Sequence, residues 1–72
     1  MLNAAILKER REIKGLSQAE LARKIGREYQ FIWDLEHSLG RDVRATTLIK
    51  LAEALDCSTD YLLGRQRKIR VA

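Results

Sequence analysis

The sequence predicts an all-α domain, and three observations carry that expectation. The chain has 72 residues and no proline, so no residue in it blocks helix continuation. Apolar residues recur at helical spacing, most clearly at Leu48, Leu51, Ala52 and Leu55, which stand at i, i+3, i+4 and i+7. The alternation expected of a strand is absent except around Ile69 and Val71 near the C-terminus. Four glycines, Gly15, Gly26, Gly40 and Gly64, each follow a helically spaced segment, where a helix needs a residue tolerant of positive φ.

Five helices follow in order. Helix 1 is expected over about 3–14, with Ile6, Leu7 and Ile13 as its apolar contributors. Helix 2, about 18–25, opens with Ser17-Gln18-Ala19-Glu20. That is a capping box: the Ser17 hydroxyl accepts from the Glu20 amide and the Glu20 carboxylate reaches back to Ser17. Leu21, Ala22 and Ile25 form its inward stripe. Only Gly26 and Arg27 separate it from helix 3, about 28–37. Helix 4 runs about 45–56. Helix 5 is short, about 59–63, with Ser58 as N-cap and Asp60 at the positive end of the helix dipole. Leu62 and Leu63 are expected to close the core, and Gly64 ends the helix. Residues 1–64 therefore read as one domain and residues 65–72 as a basic tail.

Composition narrows the function. The formal charge is +4 and the pI about 9.6, which suggests an anionic partner. The placement of that charge matters more than its sum. Up to Gly64, ten basic residues balance ten acidic ones, so the whole excess lies in Arg65, Arg67, Lys68 and Arg70. A hydrophobic share of 46% is too high for a disordered chain. No apolar run approaches the roughly 20 residues of a membrane span. The N-terminal stretch places its charges after its apolar residues, unlike a secretory signal. Cys57 is the single cysteine, which excludes an intrachain disulfide and a cysteine-rich zinc site. A reducing, cytoplasmic setting is the simplest expectation. No Ser/His/Asp set, glycine-rich phosphate loop or separated carboxylate pair suggests catalysis, so no enzyme activity, cofactor or metal is expected.

The segment SQAELARKIGREYQFIWDLE, residues 17–36, has the spacing of two helices joined by a tight turn. Ala22 is small enough for a second helix to approach, Gly26 makes the turn, and Leu21, Ile25, Ile32 and Leu35 fill the joint core. That is the pattern of a helix-turn-helix, which presents its second helix to the DNA major groove. GLSQAELARKIG, then Ile32, Leu35 and Glu36, then TLIKLAEAL and STDYLLG, resemble the Cro/CI-type helix-turn-helix family of phage, plasmid and bacterial repressors. The resemblance covers roughly residues 6–64. It implies a five-helix lambda-repressor-like bundle, usually a homodimer on a palindromic operator in double-stranded DNA.

The resemblance also implies site residues. Gln18 matches a glutamine at the start of helix 2 that touches the DNA backbone, where exposed helix amides suit a phosphate. Arg11 and Glu36 match a structural ion pair between helices 1 and 3. Tyr29, Gln30, Trp33 and Asp34 match base-contact positions. A step of 100° per residue turns Ile32 and Leu35 inward, sets Phe31 at the margin, and turns Gln30, Trp33, Asp34 and His37 outward. Gln30 suits adenine, because its amide can bond N6 and N7 together; Asp34 suits the cytosine amino group. Arg41 and Arg44, in the loop after helix 3, and Arg27, in the turn, are backbone-contact candidates that position without reading sequence.

Four residues depart from the family pattern. Arg27 stands where an apolar residue is usual, Glu28 where a Ser or Thr cap is usual, and Asp34 and bulky Trp33 lie on the reading face. Three of the four aromatics, Tyr29, Phe31 and Trp33, crowd into helix 3. An exposed aromatic patch also suits a protein partner, so a protein-interaction module of the same fold, such as a toxin-neutralising antitoxin, stands as the alternative. His37 is read as a residue balancing the helix dipole, and Cys57 as a small buried hydrophobe. The tail is either a non-specific phosphate-binding segment or a pairing segment at a dimer seam.

Overall fold

A computed structural model describes residues 2–37 and 43–64. It contains five helices among these residues: α1 (Ala4–Ile13), α2 (Gln18–Lys24), α3 (Tyr29–His37), α4 (Ala45–Ala54) and α5 (Thr59–Leu62). The predicted helices are all present, each shortened by one or two residues. Gly40, Arg41 and the tail 65–72 lie outside the described residues.

Local chemistry starts the helices where the side chains dictate. Asn3 caps α1, its Oδ1 accepting from the Ile6 amide at 3.1 Å. The capping box of α2 closes in both directions, with Glu20 N–H to Ser17 Oγ at 3.0 Å and Ser17 N–H to Glu20 Oε1 at 2.8 Å. Ser58 Oγ accepts from the Tyr61 amide at 3.0 Å to start α5.

The helix ends repeat one device. After α2, Gly26 adopts φ +74°, its N–H donates to Arg23 O at 3.2 Å, and Arg27 N–H reaches Ala22 O at 2.8 Å. This paired closure satisfies two otherwise orphaned carbonyls and sets α3 at an angle to α2. After α4 the same pair of bonds forms, Asp56 N–H to Glu53 O at 3.2 Å and Cys57 N–H to Ala52 O at 3.0 Å. Here Asp56 takes the left-handed position at φ +56°. Helix 4 therefore ends at Ala54, two residues before the expected limit. The usual glycine signal is missing there, and aspartate is one of the few residues that tolerates that conformation.

The core joins all five helices. Leu7, Leu21, Ile32, Leu35, Leu51, Leu55 and Leu62 are each essentially inaccessible to solvent. Phe31, Leu48 and Cys57 pack against this cluster from its margin. Leu2, ahead of α1, is also buried, and the Asn3 amide donates to Leu62 O at 2.9 Å, joining the chain start to α5. Two core expectations are corrected. Ile13 is 60% exposed, because it lies about 120° around α1 from Leu7; Arg11, not Ile13, takes the inward position in that last turn. Leu62 is fully buried, but its neighbour Leu63 forms the C-cap of α5 and is only half-buried.

Candidate nucleic-acid interface

α3 is fixed to the bundle by an ion pair at its C-terminal end. Arg11 Nε donates to Glu36 Oε2 at 2.6 Å and Arg11 Nη2 to Glu36 Oε1 at 3.1 Å. The third arm of the guanidinium, Nη1, donates to the Leu16 carbonyl at 2.8 Å. The Glu36 side chain is 1% exposed. Its hydrogen bond, the largest influence, and its charge raise the Arg11 pKa further above the usual arginine range, against the opposing effect of burial. The fork-on-fork geometry locks α1, the α1–α2 connection and α3 in one arrangement.

Gln18, the first residue of α2, joins the same carboxylate. Its Nε2 donates to Glu36 Oε1 at 2.9 Å. One side-chain N–H and the carbonyl oxygen of that amide remain beyond this bond, beside the amides that open α2.

The outer face of α3 is built from i, i+4 pairs, which are neighbours on a helix surface. Gln30 Nε2 donates to Asp34 Oδ1 at 3.1 Å. The Trp33 and His37 rings stack with centroids 3.9 Å apart and planes 14° from parallel. His37 Nδ1–H donates to the Trp33 carbonyl at 2.8 Å, which fixes that ring at the C-terminal end of the helix. In the preceding turn the Arg27 guanidinium sits 3.8 Å over the Phe31 ring. Tyr29 is 49% exposed and Trp33 38% exposed. Gln30 and His37 are exposed and Asp34 is half-buried. Gln30, Trp33 and Asp34 thus share the face turned away from Ile32 and Leu35, which are buried, with Tyr29 on its flank.

The remaining predicted residues divide. Arg44 is exposed and immediately precedes α4, with its side chain uncommitted to a cap bond. Arg41 lies outside the described residues. Cys57 is half-buried; burial, foremost, raises its thiol pKa despite the opposing pull of Arg10. Among the described residues no group of three or more His, Cys, Asp or Glu is gathered to hold a metal ion. No helix among them is long and apolar enough to cross a membrane.

Three relationships go beyond the residues that the sequence pattern singles out. Arg10 Nη2 donates to the Leu55 carbonyl at 2.8 Å and the Asp56 carbonyl at 3.3 Å, so α1 closes the end of α4 from 45 residues away. No local pattern signals a bond of that separation. The Gln30–Asp34 and Trp33–His37 pairs were accessible, because i, i+4 spacing alone brings such side chains together.

Comparison with known proteins agrees with this geometry. A helix-turn-helix family model matches residues 7–62. The fold is similar to that of the P22 c2 repressor protein, solved in complex with synthetic operator 9T in the presence of thallium ion. The TM-score is 0.81 at 30% identity over 92% of this chain and 98% of that one. It is also similar to the restriction-modification controller protein C.AhdI from Aeromonas hydrophila, with TM-score 0.74 and 36% identity over 82% and 88% of the two chains. A third likeness is to a chain of the SinR–SinI protein complex, with TM-score 0.77 and 32% identity over 88% of this chain but 60% of that one. With its turn, its paired helices and most of its length matched, the chain belongs to the helix-turn-helix family.

Proposed function

We propose that this protein is a sequence-specific DNA-binding transcriptional regulator, acting as a repressor that binds a palindromic operator as a homodimer. Family membership and likeness to a repressor and a controller protein support the DNA-binding regulator. The observation that carries the reading is the outer face of α3, where polar and aromatic side chains stand on a helix anchored by the Arg11–Glu36 pair.

In this reading α3 enters the major groove and Tyr29, Gln30, Trp33 and Asp34 face the base edges. Gln18, at the opening of α2, and Arg27, Arg41 and Arg44 hold phosphates. These contacts set register and orientation. Residues 1–64 form the DNA-binding body. The tail 65–72 adds sequence-independent attraction for phosphate through its four cations.

Selection from a random duplex pool tests the proposal. The expected result is enrichment of one two-fold symmetric site whose half-sites are spaced by about one helical turn. Failure to enrich any sequence would contradict it. The exposed Tyr29 and Trp33 and the likeness to a chain from a protein–protein complex favour one second reading. That reading is a protein-interaction module such as an antitoxin. It predicts no duplex selection, and capture of a partner that is lost on Trp33→Ala.

A further inference from the structure

We propose that Asp34 is a positioning residue that sets Gln30 to read an adenine, rather than a base reader in its own right. The inference rests on the DNA-binding reading above and gives the chemistry of one contact within it.

A glutamine amide has two ends of opposite character, and rotation by half a turn exchanges them. A carboxylate offers only acceptors. Asp34 Oδ1, 3.1 Å from Gln30 Nε2, therefore accepts the amine end and excludes the flipped arrangement, which would set two acceptors against each other. One Nε2 hydrogen is used in that bond. The other hydrogen and Oε1 are left on the free edge of the amide. A donor beside an acceptor is the complement of adenine, which presents the N7 acceptor and the N6 amino donor in the major groove.

Two further observations agree. Gln30 is exposed on a helix whose C-terminal end is tied down through Glu36, so the brace is its local source of order. Asp34 is a carboxylate on a face meant for an anionic polymer; a direct base contact would bring that charge to the groove floor. Its bond to Gln30 supplies a role that explains its presence one turn along the helix.

The test starts from the site selected by the wild-type chain. Gln30→Ala identifies the base pair that Gln30 reads, expected to be A·T. Affinity for that site is then compared with affinity for the duplex in which this pair is replaced by G·C. Asp34→Ala should lower the ratio by about twofold per half-site, the scale of an exposed i, i+4 side-chain pair. Asp34→Asn carries a donor beside its acceptor, admits the flipped Gln30 amide as well, and should therefore also lower the ratio. A ratio in Asp34→Ala equal to wild type overturns the proposal. So does a loss of preference at a different base pair, which would make Asp34 itself the reader.

The free protein offers a second readout. One of the two Gln30 side-chain amide protons should be shifted downfield in the proton–nitrogen NMR spectrum of the wild type and return on Asp34→Ala. An unchanged Gln30 amide signal overturns the brace whatever DNA does. If the wild-type chain selects no site, the DNA-binding reading fails and this inference with it; a selected site with no role for Asp34 overturns the inference alone.

Discussion

The Gln18 side-chain amide donates to Glu36 Oε1 at 2.9 Å, on the same carboxylate that Arg11 grips with two nitrogens. The side chain that opens α2 is thereby tied to the buried carboxylate in the last turn of α3 and, through it, to α1. The relative placement of the two helices of the helix-turn-helix depends on one buried carboxylate.

Removing Arg11 leaves that carboxylate unpaired in the interior. Breaking one side of a buried ion pair costs about 3–5 kcal/mol. A domain of this size holds about 4–11 kcal/mol in total. Arg11→Ala should therefore lose a large part of that stability, and all of it if the domain lies at the low end of the range, while Gln18→Ala should lose only about 0.5–1.5 kcal/mol. Urea denaturation followed by circular dichroism measures both. An Arg11→Ala protein as stable as the wild type would contradict the structural role of the pair.

Arg10 closes the end of α4 through the Leu55 and Asp56 carbonyls and lies over the Tyr61 ring at 5.9 Å. Arg10→Ala should destabilise the fold by about 1.5–3 kcal/mol, the range for a hydrogen bond from a charged donor. Base preference should not change, because Arg10 is remote in role from α3. Denaturation midpoints and the selected DNA site together check this.

The capping box gives α2 a pH dependence. Hydrogen bonds from Ser17, backbone first, hold the Glu20 carboxyl below the usual range. A depressed folded value means that the contribution is complete above the ordinary glutamate pKa of about 4.3 and fades as pH falls through the lower folded value. Ser17→Ala should cost about 1 kcal/mol at neutral pH and weaken the loss of stability on acidification. Thermal melts of the two proteins at neutral and acidic pH follow it.

Burial raises the Cys57 pKa, and only the thiolate is a nucleophile. The native protein should react with a thiol reagent near pH 8 more slowly than a free cysteine, and urea should remove the difference. The linked stability is complete below the unfolded value of about 8.5 and is lost as pH rises through the folded one. Equal native and unfolded reaction rates would show that the site is open.

The helices were legible wherever the signal was local. The Ser17–Glu20 box, the Ser58 cap and the Leu48–Leu55 stripe all act within one or two turns, and each appears as read. The family resemblance supplied the Arg11–Glu36 pair, whose partners lie 25 positions apart. What stayed hidden was long-range or context-dependent. The Arg10 bond to Leu55 spans 45 positions, and left-handed Asp56 occupies a place that composition assigns to glycine. Ile13 counted as apolar, but its burial depended on which face of α1 the arginines took. On α3 the outward direction of Gln30 and Trp33 was readable, as was the i, i+4 spacing that pairs them with Asp34 and His37.

The central claim is that α3 reads bases and the surrounding arginines hold phosphates. Its most direct test is the affinity of wild type, Gln30→Ala and Arg44→Ala for the selected site and a scrambled duplex, across about 50–200 mM salt. The account predicts that Gln30→Ala lowers affinity for the selected site alone, by about 1–3 kcal/mol. It predicts that Arg44→Ala weakens both duplexes similarly and flattens the salt dependence by about one unit of log slope. A Gln30→Ala protein that discriminates the selected site from the scrambled duplex as well as the wild type does would contradict it.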